Sequence, residues 1–478
     1  MFIYEMKRTL LTMAVAIATA ITVEAQTVRQ FVLTNSSDGQ SELHCFLPQH
    51  PNGRAVIACP GGAYGGLSFE KEGTQWAEWF NAQGIAYFTL KYRLPNGRPE
   101  LPLGDAYQAM RTVRDSAAVW HINRRDVGIM GFSAGGHLAA TVSTHAPFDA
   151  LPDFSILVYP VITMGKGTHE GTWRRFLGEK KESEALIKEY SNELKVNHYS
   201  TPPAILLLSN DDRTVPPVQN AVAYYSAMRK AGNPCTMHIY PDGGHGWGFA
   251  SWFKHHDQML GDLMRWLQQL KAPQEDAIRV ACIGNSITRG SCIDMASQLG
   301  YPAQLQKMLG PGFNVHNFGM AGYTMLSKGD YPYVKSGAWK MAQAFDPNIV
   351  IIKLGTNDSK AHNWKYGKEF EGDLQAMIDT LRALPSKPRI ILAHPIRIFR
   401  EHHGMSDSVL VHAINPTIDK VAKRNKLEVL DLRQAITDEK MLVSDGIHPN
   451  HNGAKLIARM VADAILAPVT VQKATAKK

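Results

Sequence analysis

Short apolar runs alternate with longer amphipathic stretches from residue 55 onwards. In the first half, six apolar runs predict strands at 55–59, 85–90, 127–132, 154–159, 204–209 and 236–240. Amphipathic stretches predict helices at 72–83, 105–120, 218–231 and 253–270. Nearly continuous apolar strands that alternate with helices are typical of a parallel sheet covered on both faces, so the pattern predicts an α/β fold.

A second series of strands begins after a polar stretch that has no periodicity, KAPQED at 271–276. Its apolar runs predict strands at 279–284, 313–319, 348–355, 389–395 and 427–432, with helices at 370–384, 409–426 and 451–466. The chain has 478 residues, too many for one ordinary domain. We therefore expect two α/β domains at 26–270 and 278–468, a linker at 271–277 and a polar tail at 469–478. The second domain is expected to have three α/β/α layers.

The first 25 residues have the layout of a secretory signal peptide. Lys7 and Arg8 precede an apolar run over 9–23, and Val23-Glu24-Ala25 stands before Gln26. The run is too short for a transmembrane anchor, and polar sequence follows it. The sequence therefore predicts a secreted or periplasmic protein without a membrane span.

Charge and cysteine content exclude several classes of function. The net charge is +8, but basic and acidic residues are interspersed, which favours a solvated surface over nucleic-acid binding. The chain has five cysteines without a CxxC pair, and free thiols are expected, although a local Cys282–Cys292 bridge remains an alternative. No carboxylate or thiolate set accompanies His448 and His451 or His402 and His403 at metal-ligand spacing. We expect no metal and no cofactor.

A nucleophile motif follows the predicted strand at 127–132. The letters GFSAGG (131–136) place Ser133 on a sharp turn between a strand and a helix, with glycines two residues to either side. Asp211 and Asp212 follow the strand at 204–209, and His245 follows the strand at 236–240. Ser133, an aspartate and His245 thus come in the order in which α/β-hydrolases carry their triad.

A glycine-rich turn, CPGGAYGG (59–66), follows the first predicted strand of this half. It is either an ordinary turn or a source of backbone N–H groups for a developing oxyanion, from Gly62 and Ala63 together with Ala134. Its spacing matches neither of the common phosphate-binding motifs.

The first half resembles small carbohydrate and feruloyl esterases of the α/β-hydrolase fold, including acetylxylan esterase-like enzymes. The matching motifs are PGGAYGG, KYRL, GFSAGGHLAA, DDRTVPP and GGHGWGF, spread over about residues 45–270. The family pattern D-x-x-V-P places the triad acid at Asp212 and leaves Asp211 as a turn residue.

Four further motifs follow strands or precede the last helix in the second half. They are GNSIT (284–288), GMAG (319–322), GTND (355–358) and DGIHP (445–449). The carboxyl ends of parallel strands are where ligands bind in such sheets. A serine, an amide donor and an Asp-x-x-His pair there supply every role that acyl transfer needs. Taken singly, GTND is equally a helix cap and DGIHP equally a turn.

Taken together, these motifs resemble the SGNH (GDSL-like) hydrolases, whose three-layer fold is flavodoxin-like, over about residues 278–466. The resemblance implies Ser286 as nucleophile, His448 as base and Asp445 as the acid that orients it. It implies an oxyanion hole formed by the Ser286 and Gly322 N–H groups and the Asn357 side chain. The usual Gly-Asp-Ser is here Gly-Asn-Ser, and Asn285 is expected to alter local hydrogen bonding.

The sequence thus predicts a secreted esterase with two independent Ser-His-Asp sites. Its expected substrate is an acylated plant polysaccharide or oligosaccharide that carries acetyl or feruloyl groups, an inference from family analogy. Two alternatives remain open: one domain is a silent carbohydrate-binding module, or the first half is a peptidase-like hydrolase.

Overall fold

The computed structural model describes residues 29–467. The predicted signal peptide at 1–25 and the predicted tail at 469–478 lie outside the described residues. Two separate β-sheets, one of eight strands and one of five, form the centres of the two halves of this region. Within 29–467, no helix combines the length and apolar character needed to cross a membrane.

The first sheet has the strand order β1-β2-β4-β3-β5-β6-β7-β8. Its strands are β1 (Arg29–Thr34), β2 (Glu42–Leu47), β3 (Ala55–Cys59), β4 (Ala86–Lys91), β5 (Val127–Phe132), β6 (Ser155–Val158), β7 (Ala204–Ser209) and β8 (Cys235–Tyr240). Every residue of β3, β5, β6 and β7 is buried, as expected for central strands covered on both faces. The α/β prediction is confirmed, but β1 and β2 were missed, and both pair antiparallel.

The helices that cover this sheet are shorter than the amphipathic pattern predicts. They are α1 (Ala77–Ala82), α2 (Glu100–Asp115), α3 (Ala117–Trp120), α4 (Ser133–His145), α5 (Glu170–Leu177), α6 (Glu184–Tyr190), α7 (Ala223–Ala231) and α8 (His256–Gln269). A single 3₁₀ turn precedes α1, so the helix predicted at 72–83 begins five residues late. A π-helical turn, Val218–Val222, precedes α7.

The second sheet is entirely parallel, with the order β10-β9-β11-β12-β13. Its strands are β9 (Ile278–Gly284), β10 (Phe313–Gly319), β11 (Ile349–Lys353), β12 (Arg389–His394) and β13 (Glu428–Asp431). The helices are α9 (Ser286–Arg289), α10 (Ala296–Leu299), α11 (Tyr301–Leu309), α12 (Gly337–Ala344), α13 (Ala361–Trp364), α14 (Phe370–Arg382), α15 (Asp407–Val409), α16 (Asn415–Asn425) and α17 (His451–Leu466). Two apolar cores, one on each face of this sheet, give the predicted three layers.

Candidate active sites

Ser133 stands where β5 ends and α4 begins, in a left-handed backbone conformation with φ +52°. The glycines on either side allow this turn to pack closely. A Cβ on Gly131 would lie 2.2 Å from the Gly135 carbonyl oxygen, and a Cβ on Gly135 would lie 2.0 Å from that of Cys59. Any larger residue would push the turn away from β3, so the glycines set the position of the Ser133 hydroxyl.

His245 lies between Ser133 and Asp212. The Ser133 hydroxyl donates to His245 Nε2 at 2.8 Å, and His245 Nδ1 donates to Asp212 Oδ2 at 2.7 Å. The other Asp212 oxygen accepts the N–H groups of Thr214 and Val215, both at 2.9 Å, which fixes the carboxylate. The geometry supplies a nucleophile, a base that can take its proton and an acid that orients the base.

Asp211 faces away from this chain of hydrogen bonds. Its carboxylate accepts the Gly244 N–H at 2.8 Å and thereby ties the loop of β7 to the loop of β8. The structure therefore places Asp212 against His245 and gives Asp211 a role in the turn.

The glycine-rich turn lies directly beside the serine. A Cβ on Gly61 would come 3.0 Å from Ser133 Cβ. Gly62 and Ala63 have φ values of +129° and +54°, which turn the backbone sharply. In residues 29–467, neither of their N–H groups donates to a protein acceptor. These groups are available for an oxyanion, as is the N–H of Ala134 in the first turn of α4.

Glu72 and Tyr159 complete this site, and the sequence analysis missed both. The buried Glu72 carboxylate accepts the Gly61 N–H at 2.9 Å and the Tyr159 hydroxyl at 2.8 Å. The Tyr159 ring packs against the His245 ring, with centroids 4.7 Å apart. Burial raises the pKa of Glu72 despite both hydrogen bonds. One carboxylate thus connects the glycine-rich turn to the ring that supports the base, which makes Glu72 a positioning residue.

The second site has the same chain of hydrogen bonds on a different sheet. Ser286 follows β9, and its hydroxyl donates to His448 Nε2 at 2.8 Å. His448 Nδ1 donates to Asp445 Oδ2 at 2.6 Å. Burial acts to raise the pKa of Asp445, but hydrogen bonds from the His448 backbone and side chain outweigh it and hold the pKa below its ordinary value. Asp445 is therefore ionised at neutral pH, as an orienting acid must be.

Asn285 pairs with a lysine that the sequence analysis also missed. Lys353, at the end of β11, is completely buried, and its Nζ donates to Asn285 Oδ1 at 2.8 Å. Burial holds the pKa of Lys353 well below its ordinary value. The same Asn285 oxygen accepts the Ile287 N–H, which caps the helix that carries Ser286. In the usual Gly-Asp-Ser motif a carboxylate would stand at position 285. Here the neutral Asn285 amide takes that place and accepts the hydrogen bond from Lys353.

Gly322 and Asn357 stand beside each other in the second unit. Asn357 is buried, and its Nδ2 donates to the Tyr323 carbonyl at 3.0 Å, directly after Gly322. Gly322 has φ +86°, and within the described chain its N–H has no protein acceptor. The amide nitrogen carries two hydrogens, and Asn357 holds this turn with one, while the other has no acceptor among residues 29–467.

We predict that Asn357→Ala, in a Ser133→Ala background that silences the first site, lowers kcat far more than stability. Losing one preorganised oxyanion donor costs about 10²–10³ in kcat, whereas losing a cap costs about 1 kcal/mol of unfolding free energy. Turnover of p-nitrophenyl acetate and the melting temperature measure the two effects. Asn425→Ala, at the far end of α16, is the structural control, with lowered stability and normal kcat. Near-normal kcat with lowered stability for Asn357→Ala would make Asn357 structural.

All five cysteines are free thiols, so the Cys282–Cys292 bridge is not formed. The Cys292 thiol nevertheless lies near the second site, where its sulfur, a His448 nitrogen and an Asp445 oxygen are all within 4.8 Å of one another. His448 and Asp445 are already bonded to each other and to Ser286, so we assign no metal to this cluster.

Comparison with known protein families agrees with the two sheets. A model of the alpha/beta hydrolase fold matches residues 56–249, and a model of the GDSL-like Lipase/Acylhydrolase family matches residues 282–456. The fold is therefore an N-terminal α/β-hydrolase unit followed by a C-terminal SGNH unit. The protein is a carboxylic ester hydrolase of the serine type.

Two curated relatives and one solved structure are similar to parts or most of this chain. The chain is 50% identical over 466 residues to an acetylxylan esterase from Xylanibacter ruminicola, covering 93% of this chain and 97% of that one. It is 32% identical over 206 residues to endo-1,4-beta-xylanase B from Butyrivibrio fibrisolvens, covering 40% of this chain and 32% of that one. A structure of an acetyl ester-xyloside bifunctional hydrolase from Caldicellulosiruptor lactoaceticus is 32% identical, with TM-score 0.45, and covers 48% of this chain and 87% of that one. The chain belongs to the family of the Xylanibacter ruminicola acetylxylan esterase.

Proposed function

We propose that this protein removes acetyl groups from xylan. The observation that carries the proposal is 50% identity over nearly the whole chain to a protein described as an acetylxylan esterase. The hydrogen-bonded Ser-His-Asp groups of this chain have the geometry that acyl transfer needs. The proposed partner is therefore an acylated polysaccharide or oligosaccharide.

The same chemistry applies at each proposed site. The serine oxygen attacks the acetyl carbonyl while its proton moves to His Nε2, and the aspartate stabilises the resulting imidazolium. The histidine then protonates the leaving sugar oxygen, and an acetyl-serine remains. Water, deprotonated by the same histidine, releases acetate. Backbone and amide N–H groups stabilise the negative oxygen of both tetrahedral intermediates.

We further propose that the chain carries two chemically independent sites. Ser133, His245 and Asp212 all follow strands of the first sheet, whereas Ser286, His448 and Asp445 all belong to the second unit. Each serine has its own base at 2.8 Å. Each site therefore has all the groups for one complete turnover. Feruloyl esters are a further proposed substrate class for the first site, supported by the resemblance of its motifs.

We also propose export of the chain, supported by the order of positions 1–25, in which two basic residues, an apolar run and Val23-Glu24-Ala25 follow one another. The mature protein is expected outside the cytoplasm, with Gln26 as its first residue. Cell fractionation and N-terminal sequencing test this, and an uncleaved cytoplasmic chain would overturn it.

The experiment that tests the substrate measures acetate and ferulate released from acetylated xylan, with chemically deacetylated xylan as control. Acetylated mannan and pectin test the preference for the polysaccharide. We expect acetate from xylan at a higher kcat/KM than from either other polymer, and none from the deacetylated control. If the protein hydrolyses p-nitrophenyl acetate but releases no acetate from xylan, it is an esterase and xylan is not its substrate.

A further inference from the structure

A short segment of the first unit, residues 197–201, lies against β10 of the second sheet. His198 Nε2 donates a short hydrogen bond to the Gly319 carbonyl. In the opposite direction, His316 Nε2 of β10 donates to the Tyr199 carbonyl at 3.1 Å. β10 is an edge strand of its sheet, and an edge strand leaves backbone groups that need partners from elsewhere. The first unit supplies such a partner for the Gly319 carbonyl, at the carboxyl end of the strand.

The segment that carries His198 is itself held firmly. Asn197 Oδ1 accepts the N–H groups of Tyr199 and Ser200, at 3.2 and 2.8 Å, and the Ser200 hydroxyl at 2.8 Å. Asn233 Nδ2 donates to the carbonyls of Asn197 and Thr201, at 2.8 and 3.2 Å. Since the loop is tied both to itself and to the residues before β8, His198 is presented from a fixed position.

Aromatic packing keeps the two units together at the same place. The Phe148 and Phe345 rings meet edge to face with centroids 5.7 Å apart, and the His316 ring lies 5.2 Å from the Phe345 ring. Tyr199 packs against the core of the second unit. Burial lowers the pKa of His198 to about 4 and also lowers the pKa of His316, so both rings are neutral near pH 7.

Gly319 is part of the second candidate site. It ends β10 and begins the GMAG segment that contains Gly322. The next residue, Met320, donates its N–H to the Gly284 carbonyl at 2.9 Å, two residues before Ser286. A Cβ on Gly319 would lie 2.2 Å from the Arg289 nitrogen, so this turn also touches the end of the helix that begins at Ser286. Gly319 therefore joins the segment that carries Gly322 to the residues that flank Ser286.

We propose that the first unit completes the second active site, with His198 as a positioning residue that holds the Gly319–Gly322 turn against Ser286. The inference rests on the proposed function, in which Ser286 is a nucleophile and the Gly322 N–H is an oxyanion donor. The two sites then have separate chemistry, but the second depends on the first unit for its geometry. Loss of the His198 bond leaves the Gly319 carbonyl without its donor at a buried contact and lets the turn move.

The test uses the full-length chain with Ser133→Ala, so that only the second site turns over p-nitrophenyl acetate. We expect His198→Ala to lower kcat about tenfold with KM nearly unchanged, because a displaced oxyanion donor weakens transition-state binding more than substrate binding. His198→Gln, which keeps a donor of similar reach, is expected to restore most of kcat. Tyr199→Phe is the matched control, since it removes a hydroxyl near Gly337 of α12 and leaves both backbone bonds in place.

The first site serves as an internal control for folding. In a Ser286→Ala background, His198→Ala is expected to leave turnover at the first site unchanged. A kcat of the second site within twofold of its parent, or an equal loss at both sites, would overturn the role of His198.

Amide hydrogen exchange of the 319–322 turn separates this inference from the proposed function. We expect faster exchange in His198→Ala than in the parent, His198→Gln or Tyr199→Phe. If the Ser133→Ala parent itself shows no turnover, the proposed second activity fails, whereas faster exchange would still establish His198 as the residue that holds the turn. Unchanged exchange in His198→Ala would reject the positioning role.

Discussion

Ser133→Ala and Ser286→Ala are each expected to eliminate one site and spare the other. Removal of a triad serine costs roughly 10⁶ in kcat at its own site, because only binding and the oxyanion hole still act on the substrate. Each serine hydroxyl donates to the Nε2 atom of a histidine of its own unit, at 2.8 Å in both cases. Each single variant should therefore keep the activity of the remaining site, and the double variant should lose esterase activity.

Counting the reactive serines makes this result independent of substrate preference. An organophosphonate that reacts with activated serines should label two residues per wild-type chain, one in each single variant and none in the double variant, as measured by intact-protein mass. Cys292→Ser, close to the second site but outside its triad, is a control that should keep both labels. One label per wild-type chain would show that one unit is silent. Loss of both labels in a well-folded single variant would contradict two independent sites.

The fold could be predicted largely from apolar periodicity. Strands such as Val127–Phe132 and Ala204–Ser209 lie at the predicted positions, because a buried strand of a parallel sheet must be apolar at nearly every residue. β1 (Arg29–Thr34) was missed for the opposite reason. It is an edge strand whose residues alternate between exposed and partly buried, and its apolar run, FVL at 31–33, is only three residues long.

The site motifs were predictable because each one is local to a strand end. The Asp, Asn and Gly residues that form such turns can be recognised within a few positions of the sequence. The parallel topology then brings these turns to one edge of the sheet. Glu72 was missed because the amphipathic pattern placed it at the start of a helix. The helix begins only at Ala77, and the buried Glu72 carboxylate instead reaches the Gly61 N–H.

Lys353 and His198 were missed for a different reason. Their partners, Asn285 and Gly319, lie 68 and 121 positions away in the chain. In the sequence, Lys353 is a single polar residue in an apolar strand, and His198 is one of several histidines outside the predicted strands and helices. No local pattern marks a residue whose role depends on a partner that lies far away in the sequence.

The second large effect is expected when the acid of the first site, Asp212, is replaced. Asp212→Asn is expected to lower kcat of the first site by about four orders of magnitude, measured in a Ser286→Ala background. Asparagine at this position can keep its Oδ1 as acceptor for the Thr214 and Val215 N–H groups, so the loop should stay in place. Its Nδ2 then faces His245 Nδ1, which must become an acceptor. The imidazole hydrogen moves to Nε2, and the ring can no longer take the proton of Ser133.

Asp211→Asn is the matched control because it makes the same chemical change one residue away. Among residues 29–467, the bond that the Asp211 carboxylate accepts comes from the Gly244 N–H at 2.8 Å, and an amide oxygen can accept the same bond. We expect kcat well within tenfold of the parent, with a small loss of stability. The pH dependence of kcat/KM distinguishes a wrong tautomer from a displaced loop. At high pH, hydroxide can partly replace the lost base, so the Asp212→Asn variant should regain rate there, whereas a displaced loop would stay slow at every pH. Equal rates for the two variants, or a greater loss in Asp211→Asn, would move the orienting acid to Asp211.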